Sequence, residues 1–262
     1  MTKKPLISII TVNLNDVEGL KRTMTSVFEQ TWQEYEYIII DGGSSDGSKE
    51  YIESFSDKIS VWVSEPDTGI YNAMNKGIKV ASGEYLLFLN SGDHLNNATA
   101  LDKVHVHLKN KEIVYFNINV IGDNNSFIKK CPNELSFEFL HNDLPAHQST
   151  FIRKSLFDRH GVYDENLKIV ADWKFLILAL IKYNSTYKYV NDTFTTFYAG
   201  GISAKEGSFA AMEKEREIVL NLEFPILMND LKENFILKRI IRDLRKSRKI
   251  NWLIKLRLLN KF

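Results

Sequence analysis

The sequence predicts an α/β fold, a three-layer sandwich around a largely parallel sheet. Short β-branched runs alternate with segments whose apolar residues have helical spacing. The strand-like runs are apolar throughout, which is typical of strands covered on both faces. With 262 residues, of which 44% are apolar and 26% charged, the chain can form one large domain or a domain with an appendage.

The first half contains four predicted strands and three predicted helices. In chain order they are a strand over 6–12, a helix over 18–30, a strand over 37–40, a helix over 48–55, a strand over 59–63, a helix over 70–81 and a strand over 84–89. The helices have apolar residues at helical spacing, and Gly83 follows the third one, as a glycine commonly does at a helix end.

The pattern is less regular in the second half. We expect a helix near 98–108, strands near 113–120 and 126–130, a loop-rich region to residue 148, helices near 154–159 and 172–183, and strands near 187–190 and 193–198. We expect this half to build over the sheet rather than extend it. The predicted main domain is 1–225, with halves 1–95 and 96–225, and a helical basic tail spans 226–262.

Composition excludes several classes of protein. A single cysteine, Cys131, excludes an internal disulfide framework and indicates a reducing compartment, and no His/Cys cluster has zinc spacing. The longest strongly apolar run, 175–181, is too short to cross a bilayer. Polar residues interrupt the first apolar run and no cleavage site follows it, which favours a buried strand over a signal peptide. We therefore expect a soluble or peripheral protein.

The C-terminal tail differs from the rest of the chain in charge. Residues 238–262 contain ten Lys/Arg against Asp243, a net charge of +9, so the total of +1 leaves about −8 for residues 1–237. Apolar residues, with Trp252 among them, recur at helical spacing. This pattern fits an anionic membrane surface. Packing on protein is the alternative, and no nucleic-acid-binding motif accompanies the charge.

Carboxylates follow the predicted strands at their carboxyl ends. Asp41 ends the second strand, Glu65 and Asp67 follow the third, and Asp93 follows the fourth. Alone, each fits a turn or cap residue. Together they would line the rim where open α/β sheets bind ligands, and could hold a divalent cation and a nucleotide. Neither a P-loop nor a dinucleotide fingerprint is present, so carboxylates and a metal would have to hold that nucleotide.

Seven segments are informative, and the first four of them form a set that is highly specific in order and spacing. They are SIITVNLN at 8–15, IDGGSSDG at 40–47, EPDTGIYNAMNKG at 65–77, LNSGD at 89–93, AHQSTFIR at 146–153, GVYDE at 161–165 and IVADW at 169–173. The chain, from Ile7 to about Ser203, resembles the inverting nucleotide-sugar glycosyltransferases of family 2, which have the GT-A fold. The last three segments are similar to the acceptor half of relatives that build bacterial surface polysaccharides.

The resemblance implies a UDP-sugar site at the strand ends. The residues implied to contact the nucleotide sugar are Thr11, Asn13, Asn15, Asp41, Asp67, Asn90 and Ser91. Asp41 would hydrogen-bond the uracil, and Asp67 would position the base or ribose. Where the family often has Asp-x-Asp-Asp, this chain has Asn-Ser-Gly-Asp, so Asp93 is the one implied ligand of Mg²⁺ or Mn²⁺. The diphosphate and water would complete the metal shell.

In the second half, Asp172 matches the family's general base, although relatives often have Glu where this chain has Ala171. The alternative is that Asp172 caps the helix beginning at Trp173. His147 either faces the acceptor or the diphosphate, or is structural. Gly200 and Gly201 resemble the hinge of a loop that closes over the donor, and a plain turn is their alternative.

The implied function is transfer of a hexosyl or N-acetylhexosaminyl group from a UDP-sugar to a saccharide on polyprenyl diphosphate. The setting would be O-antigen, capsule or exopolysaccharide synthesis at the inner face of a bacterial plasma membrane. Two other classes stay open. A sugar-phosphate nucleotidyltransferase would usually carry a basic Gly-rich loop after its first strand, which this chain lacks. A non-catalytic carbohydrate-binding or scaffold protein would be compatible with the reduced metal motif.

Overall fold

The computed structural model describes residues 4–122, 125–199 and 208–260. Its strands are β1 (Ile7–Asn13), β2 (Tyr35–Asp41), β3 (Val61–Ser64), β4 (Tyr85–Phe88), β5 (His94–Leu95), β6 (Ile113–Ile121), β7 (Ser126–Lys129), β8 (Thr150–Arg153) and β9 (Tyr187–Tyr198). Its α-helices are α1 (Val17–Phe28), α2 (Ser48–Glu53), α3 (Ile70–Val80), α4 (Ala100–Val104), α5 (Phe137–Asn142), α6 (Lys154–His160), α7 (Ala171–Ile177), α8 (Ser208–Glu223), α9 (Pro225–Lys246) and α10 (Arg248–Lys255).

The first four strands form the parallel part of the sheet. β1 lies between β2 and β4, and β3 lies beyond β2, all in parallel pairs. One face packs on α1, where Leu20 and Met24 join the buried cluster of Ile9. α3 contacts β1 on the other face, and a side chain at Gly77 would meet Ile10. Glycine there lets helix and sheet approach closely. The predicted three-layer α/β class is confirmed.

The second half extends the sheet, so the expectation that it builds over the sheet is wrong. The strand order is β3-β2-β1-β4-β8-β6-β9-β5, with β7 paired to β6. The junction is β8, which pairs antiparallel with both β4 and β6. Its four residues, Thr-Phe-Ile-Arg, are too few to show a strand period. Because β8, β7 and β5 form antiparallel pairs, the sheet as a whole is mixed.

Two further elements differ from their predicted form. β9 is a single strand parallel to β6, whereas two strands were predicted near 187–190 and 193–198. Its register against β6 shifts on both sides of Asn117, close to the predicted break. α5 lies in the predicted loop-rich region, and the Ser136 side chain accepts a hydrogen bond from Phe139 N at its start. A π-helix over Leu178–Lys182 continues α7, which agrees with the predicted helix to residue 183.

The chain divides into two compact units, Met1–Met212 and Glu213–Phe262. The second contains α9 and α10, and Ser247 caps the start of α10. The predicted helical character of the tail is confirmed. Among the residues placed by the structure, no helix combines the length and apolar character needed to cross a membrane.

Candidate functional site at the strand ends

Asn13 joins the ends of three strands. It is the last residue of β1, and its Nδ2 donates to Asp41 Oδ1, at the end of β2, over 2.8 Å. Its Oδ1 accepts from Ser91 Oγ, just past β4, over 2.7 Å. The parallel pairing of β1 with β2 and β4 brings these residues to one edge. The buried amide therefore fixes two of the loops that bound the rim.

Asp41 is fully buried and accepts hydrogen bonds from five donors. These are Asn13 Nδ2, Gly43 N, Ser44 N, Ser44 Oγ and Ser64 Oγ. Burial on its own would raise the pKa of Asp41, but the bonds from Ser44, Ser64 and Asn13 outweigh it and lower that pKa. The carboxylate is therefore ionised, and a nucleotide N–H could reach it only by displacing one of these donors.

Asp67 lies beside the loop that follows Asp41. Its Oδ1 accepts from Gly69 N over 2.8 Å, ahead of α3. A side chain at Gly42 would collide with Asp67 Oδ2, so glycine allows this carboxylate to approach the rim. Glu65, by contrast, forms an ion pair with Lys76 at 2.7 Å. The carboxylates after β3 thus have different partners.

Two predicted pocket residues occupy different depths. The Thr11 hydroxyl is fully buried, where it donates to Leu89 O over 2.7 Å and lies 3.0 Å from Tyr37 Oη. It supports the floor of the rim. Asn15 is exposed and has a φ of 51°, a left-handed conformation that asparagine tolerates well. Its side chain accepts from Ser45 N over 2.9 Å, which ties the loop after β1 to the loop after β2.

The segment Asn90-Ser-Gly-Asp93 forms a buried polar corner. Asp93 is 5% exposed, and its pKa is raised to about 7. Burial raises this pKa, and it outweighs the His147 charge and a Gln148 hydrogen bond, which lower it. Thr23 Oγ1 donates to the backbone carbonyl of Asp93 over 2.6 Å, which anchors the segment to α1. Asn90 Oδ1 is buried without a hydrogen-bond partner. The corner thus presents a desolvated carboxylate and an unsatisfied amide oxygen, two oxygen donors of the kind Mg²⁺ and Mn²⁺ prefer.

The Asp93 carboxylate and Asn90 Oδ1 would suit a divalent cation that binds together with a ligand carrying further oxygens. Among the described residues, no group of three or more His, Cys, Asp or Glu side chains is placed to hold a metal. A carboxylate and an amide oxygen fill only part of a divalent cation's shell. A bound phosphate would have to supply the remaining oxygens together with water.

Asp172 lies in the first turn of α7, with contacts on both carboxylate oxygens. Oδ1 accepts from Trp173 N over 2.9 Å and from Tyr71 Oη over 3.0 Å, while Oδ2 lies 3.4 Å from His147 Nδ1. Burial favours the neutral acid, but the His147 contact and the Trp173 and Tyr71 hydrogen bonds outweigh it, so the pKa of Asp172 is lowered. The helix begins at Ala171, with Val170 at its N-cap. Asp172 is therefore not the N-cap residue, although its Oδ1 accepts the hydrogen bond of one N–H of the first turn, that of Trp173.

His147 connects the Asn90-Ser-Gly-Asp93 corner to Asp172. Its Nε2 lies 3.2 Å from Asn90 Nδ2, and its Nδ1 faces Asp172. Burial would lower the pKa of His147, but Asp172, with a smaller effect from Asp93, raises it overall. Both buried carboxylates therefore act on the imidazole, and Asn90 Nδ2 donates to Nε2 when that nitrogen carries no proton.

α3 fastens the segment that carries Asp172. Asn75 Oδ1 accepts from Tyr163 N over 3.0 Å and its Nδ2 donates to Tyr163 O over 2.9 Å, so the amide pairs with the backbone as a neighbouring strand would. Glu165 accepts from Asn72 over 2.9 Å and from Asn75 over 2.8 Å. These bonds connect two of the sequence segments that resembled a known family.

The structure brings most of the predicted site residues to one edge of the sheet. Asn13 is hydrogen-bonded to both Asp41 and Ser91, and a second series of contacts runs from Asn90 through His147 to Asp172. Gly200 and Gly201 lie outside the described residues. Sequence reasoning missed Tyr71, which contacts Asp172, and Asn75, which bonds the Tyr163 backbone, because the segment 65–77 does not show which distant residues they meet.

Comparison with known proteins gives a consistent result. The family model described as Glycosyl transferase family 2 matches residues 8–163. An uncharacterized glycosyltransferase of Mycobacterium tuberculosis is 34% identical over 186 residues, which cover 69% of this chain and 71% of the relative. A PGL/p-HBAD biosynthesis glycosyltransferase of Mycobacterium bovis is 31% identical over 179 residues, 66% of this chain and 69% of the relative.

Two solved structures share the fold at low sequence identity. Staphylococcus aureus TarS 1-349 in complex with UDP-GlcNAc has a TM-score of 0.66 and 18% identity, covering 82% of this chain and 66% of that one. Mannosyltransferase PcManGT from Pyrobaculum calidifontis, in complex with GDP-Man and Mn²⁺, has a TM-score of 0.60 and 14% identity, covering 80% of this chain and 60% of that one. The chain spans less than two thirds of either.

Proposed function

The chain belongs to glycosyltransferase family 2, and we propose that it is an inverting enzyme that moves a hexosyl or N-acetylhexosaminyl group from a UDP-sugar to a saccharide. The observation that carries this proposal is the pairing of two buried polar corners at the sheet edge. One is the group around Asp41 and Asn13, and the other is the series of contacts from Asn90 through His147 to Asp172. The donor would bind at the first group and the acceptor hydroxyl at the second.

The nucleotide is proposed to bind over the ends of β1 and β2. Asn13, Asn15, Asp41 and Asp67 would contact the base and ribose, with Thr11 supporting the floor beneath them. The uracil would replace one serine hydroxyl now bonded to Asp41. The UDP-GlcNAc complex of TarS, which has the same fold, supports a UDP-linked donor.

The diphosphate is proposed to bind at the Asn90-Ser-Gly-Asp93 corner together with Mg²⁺ or Mn²⁺. Asp93 would be the protein's carboxylate ligand, and the unsatisfied Asn90 Oδ1 would face the same ion or the donor. A divalent cation bound there would offset the negative charge that develops on departing UDP. The Mn²⁺ found with PcManGT supports use of a divalent cation.

Asp172 is proposed as the general base. The acceptor oxygen forms a bond to the anomeric carbon as the bond from that carbon to the diphosphate oxygen breaks, and UDP leaves with that electron pair. The acceptor proton passes to Asp172. Because its pKa is lowered, the carboxylate is ionised at neutral pH and available as an acceptor. One displacement from the face opposite UDP inverts the anomeric centre. His147 would face the acceptor or the diphosphate, and Gly200 and Gly201 would belong to a closing loop.

The acceptor is proposed to be a saccharide on polyprenyl diphosphate, used in bacterial surface polysaccharide synthesis. The proposed location is the inner face of the plasma membrane. The C-terminal unit supports this assignment, since α10 presents exposed Arg248, Lys249 and Lys255 together with Trp252, which is 59% exposed. In this proposal residues 1–225 form the catalytic domain, and residues 226–262 attach it to the membrane.

The test is release of UDP from UDP-glucose, UDP-galactose and their N-acetyl forms. A short polyprenyl-diphosphate saccharide serves as the acceptor, with and without Mn²⁺. We expect one donor to give metal-dependent transfer. Asp172→Asn should lower kcat by roughly 10²- to 10⁴-fold with UDP binding retained, since general-base catalysis contributes about that much. Asp93→Ala should instead abolish the response to Mn²⁺.

Other outcomes would identify the competing classes. Release of pyrophosphate on mixing UTP with a sugar 1-phosphate would indicate a nucleotidyltransferase. Saccharide binding without turnover of any donor would indicate a non-catalytic protein. Full acceptor-dependent activity in both variants would contradict the roles proposed for Asp93 and Asp172.

A further inference from the structure

Tyr71 contacts the proposed base from a different part of the chain. It lies in the first turn of α3, 101 residues before Asp172, and its ring is buried and packs on Tyr163 at 5.7 Å between centroids. Its Oη lies 2.6 Å from Ile169 O and 3.0 Å from Asp172 Oδ1. Both oxygens are acceptors, so the single hydroxyl proton bridges the backbone before α7 and the carboxylate on it.

The hydroxyl can act only as a donor here. Burial, with the adjacent Asp172 charge, raises the pKa of Tyr71 well above its ordinary value. Its proton therefore stays in place through the neutral range. Removing the hydroxyl would leave Ile169 O and Asp172 Oδ1 each without this donor, although Trp173 N would still reach Oδ1.

The contacts distinguish the two oxygens of Asp172. Oδ1 accepts two hydrogen bonds, from Trp173 N and Tyr71 Oη. Oδ2 faces His147 Nδ1 at 3.4 Å, a longer contact. Oδ1 is therefore held by two donors of the protein, whereas Oδ2, with one longer contact, has room to accept a further hydrogen bond. Rotation of the carboxylate would exchange the two oxygens, and the bond from Tyr71 opposes that rotation.

We propose that Tyr71 is a positioning residue that holds Asp172 through Oδ1, so that Oδ2 takes the proton of the acceptor hydroxyl. This inference rests on the proposed role of Asp172 as general base. Tyr71 itself touches neither donor nor acceptor in this assignment. It acts by keeping the base within reach of the attacking oxygen, and small errors in that placement are costly in rate.

The test compares Tyr71→Phe with Tyr115→Phe in the full-length chain. Tyr115 is a matched control, because it is buried and its hydroxyl also donates to a backbone carbonyl, Pro132 O at 2.9 Å. Both variants should lower Tm by comparable amounts. Only Tyr71→Phe should lower kcat, by roughly 10- to 100-fold, the range expected for a hydrogen bond to a charged group. Its donor KM and its Kd for UDP should match the wild type.

Three results would overturn the inference. The first is a kcat for Tyr71→Phe within twofold of the kcat for Tyr115→Phe. The second is a rise in the donor KM of Tyr71→Phe that accounts for the whole loss in kcat/KM. Both would leave the proposed function intact if Asp172→Asn still shows the large loss in kcat proposed above. The third is the absence of Asp172-dependent transfer in the wild type, which would overturn the proposed function as well.

Discussion

Asp93 and Asp172 are both buried, yet their pKa values shift in opposite directions. Asp172 accepts from Trp173 N and Tyr71 Oη and faces His147, and these contacts outweigh burial. Asp93 has the His147 charge and a Gln148 hydrogen bond, and burial dominates. Two carboxylates with separated pKa values fit two roles, an ionised base and a site completed by a cation.

The raised pKa of Asp93 predicts a pH-dependent stability. The carboxyl takes up a proton in the folded state at about pH 7 and in the unfolded state near pH 4, so the folded state holds more protons in this window. The unfolding free energy should therefore fall as pH rises from 4 to 7, by on the order of 1 kcal/mol per pH unit from this group. Urea unfolding between pH 5 and 7 measures the slope.

The control for this prediction is Asp93→Asn, which keeps the shape without the titration. It should become more stable relative to the wild type as pH rises through this window. Parallel curves for the two proteins would show that Asp93 does not titrate there. UDP with Mn²⁺ should stabilise the wild type more at pH 7 than at pH 5, because a proton competes with the metal for the same oxygen.

Residues at strand ends could be predicted from the sequence, whereas their partners could not. Asp41 and Asp93 each follow an apolar run, and the carboxyl ends of parallel strands meet at one edge. Tyr71 meets Asp172 across 101 residues, and His147 meets Asn90 across 57. Those contacts depend on how α3 and α7 pack, which local pattern does not specify. The assigned roles of the site residues stay predictions.

At the scale of elements, α3 is the connection between the two halves of the site. Its amides bond to the segment before α7, and its Gly77 face packs on β1. The helix itself was predicted to within one residue of its end, because its apolar spacing and the following Gly83 are local signals. Its function as a connector was not predicted, since Asn72 and Asn75 are ordinary surface residues by pattern.

Asn75→Ala should destabilise the fold more than Asn72→Ala. Asn75 makes two bonds to the Tyr163 backbone and one to Glu165, whereas Asn72 makes one exposed bond to Glu165 and accepts a long one, 3.5 Å, from Thr68 N. Loss of the Asn75 amide leaves a partly buried N–H and C=O of Tyr163 unpaired, at about 1–3 kcal/mol. Loss of the Asn72 bond should cost about 0.5–1 kcal/mol. Urea denaturation of the two variants compares these values, and equal losses would contradict the strand-like pairing.

The junction between the two halves of the sheet could not be predicted from local sequence pattern. β1, β2 and β4 have mostly apolar sequences and alternate with predicted helices, which identifies them as strands. β8 has four residues, and its place between β4 and β6 makes one continuous sheet of both halves. An isolated four-residue run carries too little period to separate a strand from a loop. The expectation of a half that covers the sheet failed at this one element.

At the scale of the whole molecule, charge and apolar surface coincide in the C-terminal unit. Residues 238–262 carry a net charge of +9. On α9, Ile236, Leu237 and Ile240 are about half exposed, and on α10 Trp252 is 59% exposed. Exposed apolar residues interleaved with Lys and Arg on helices are typical of segments that lie in a membrane interface. A merely solvated charged face would not need these apolar side chains at its surface.

Deleting residues 238–262 should abolish sedimentation with vesicles that contain phosphatidylglycerol. Each Lys or Arg near an anionic surface contributes about 1 kcal/mol to the free energy of membrane binding, and the deletion removes ten such residues. Binding of the full chain should weaken as NaCl rises, because salt screens the attraction, and should be absent with phosphatidylcholine alone. Trp252→Ala should weaken binding while leaving its salt dependence unchanged, since it removes apolar contact and no charge. Equal sedimentation of full-length and truncated protein would exclude the tail as the membrane-binding segment.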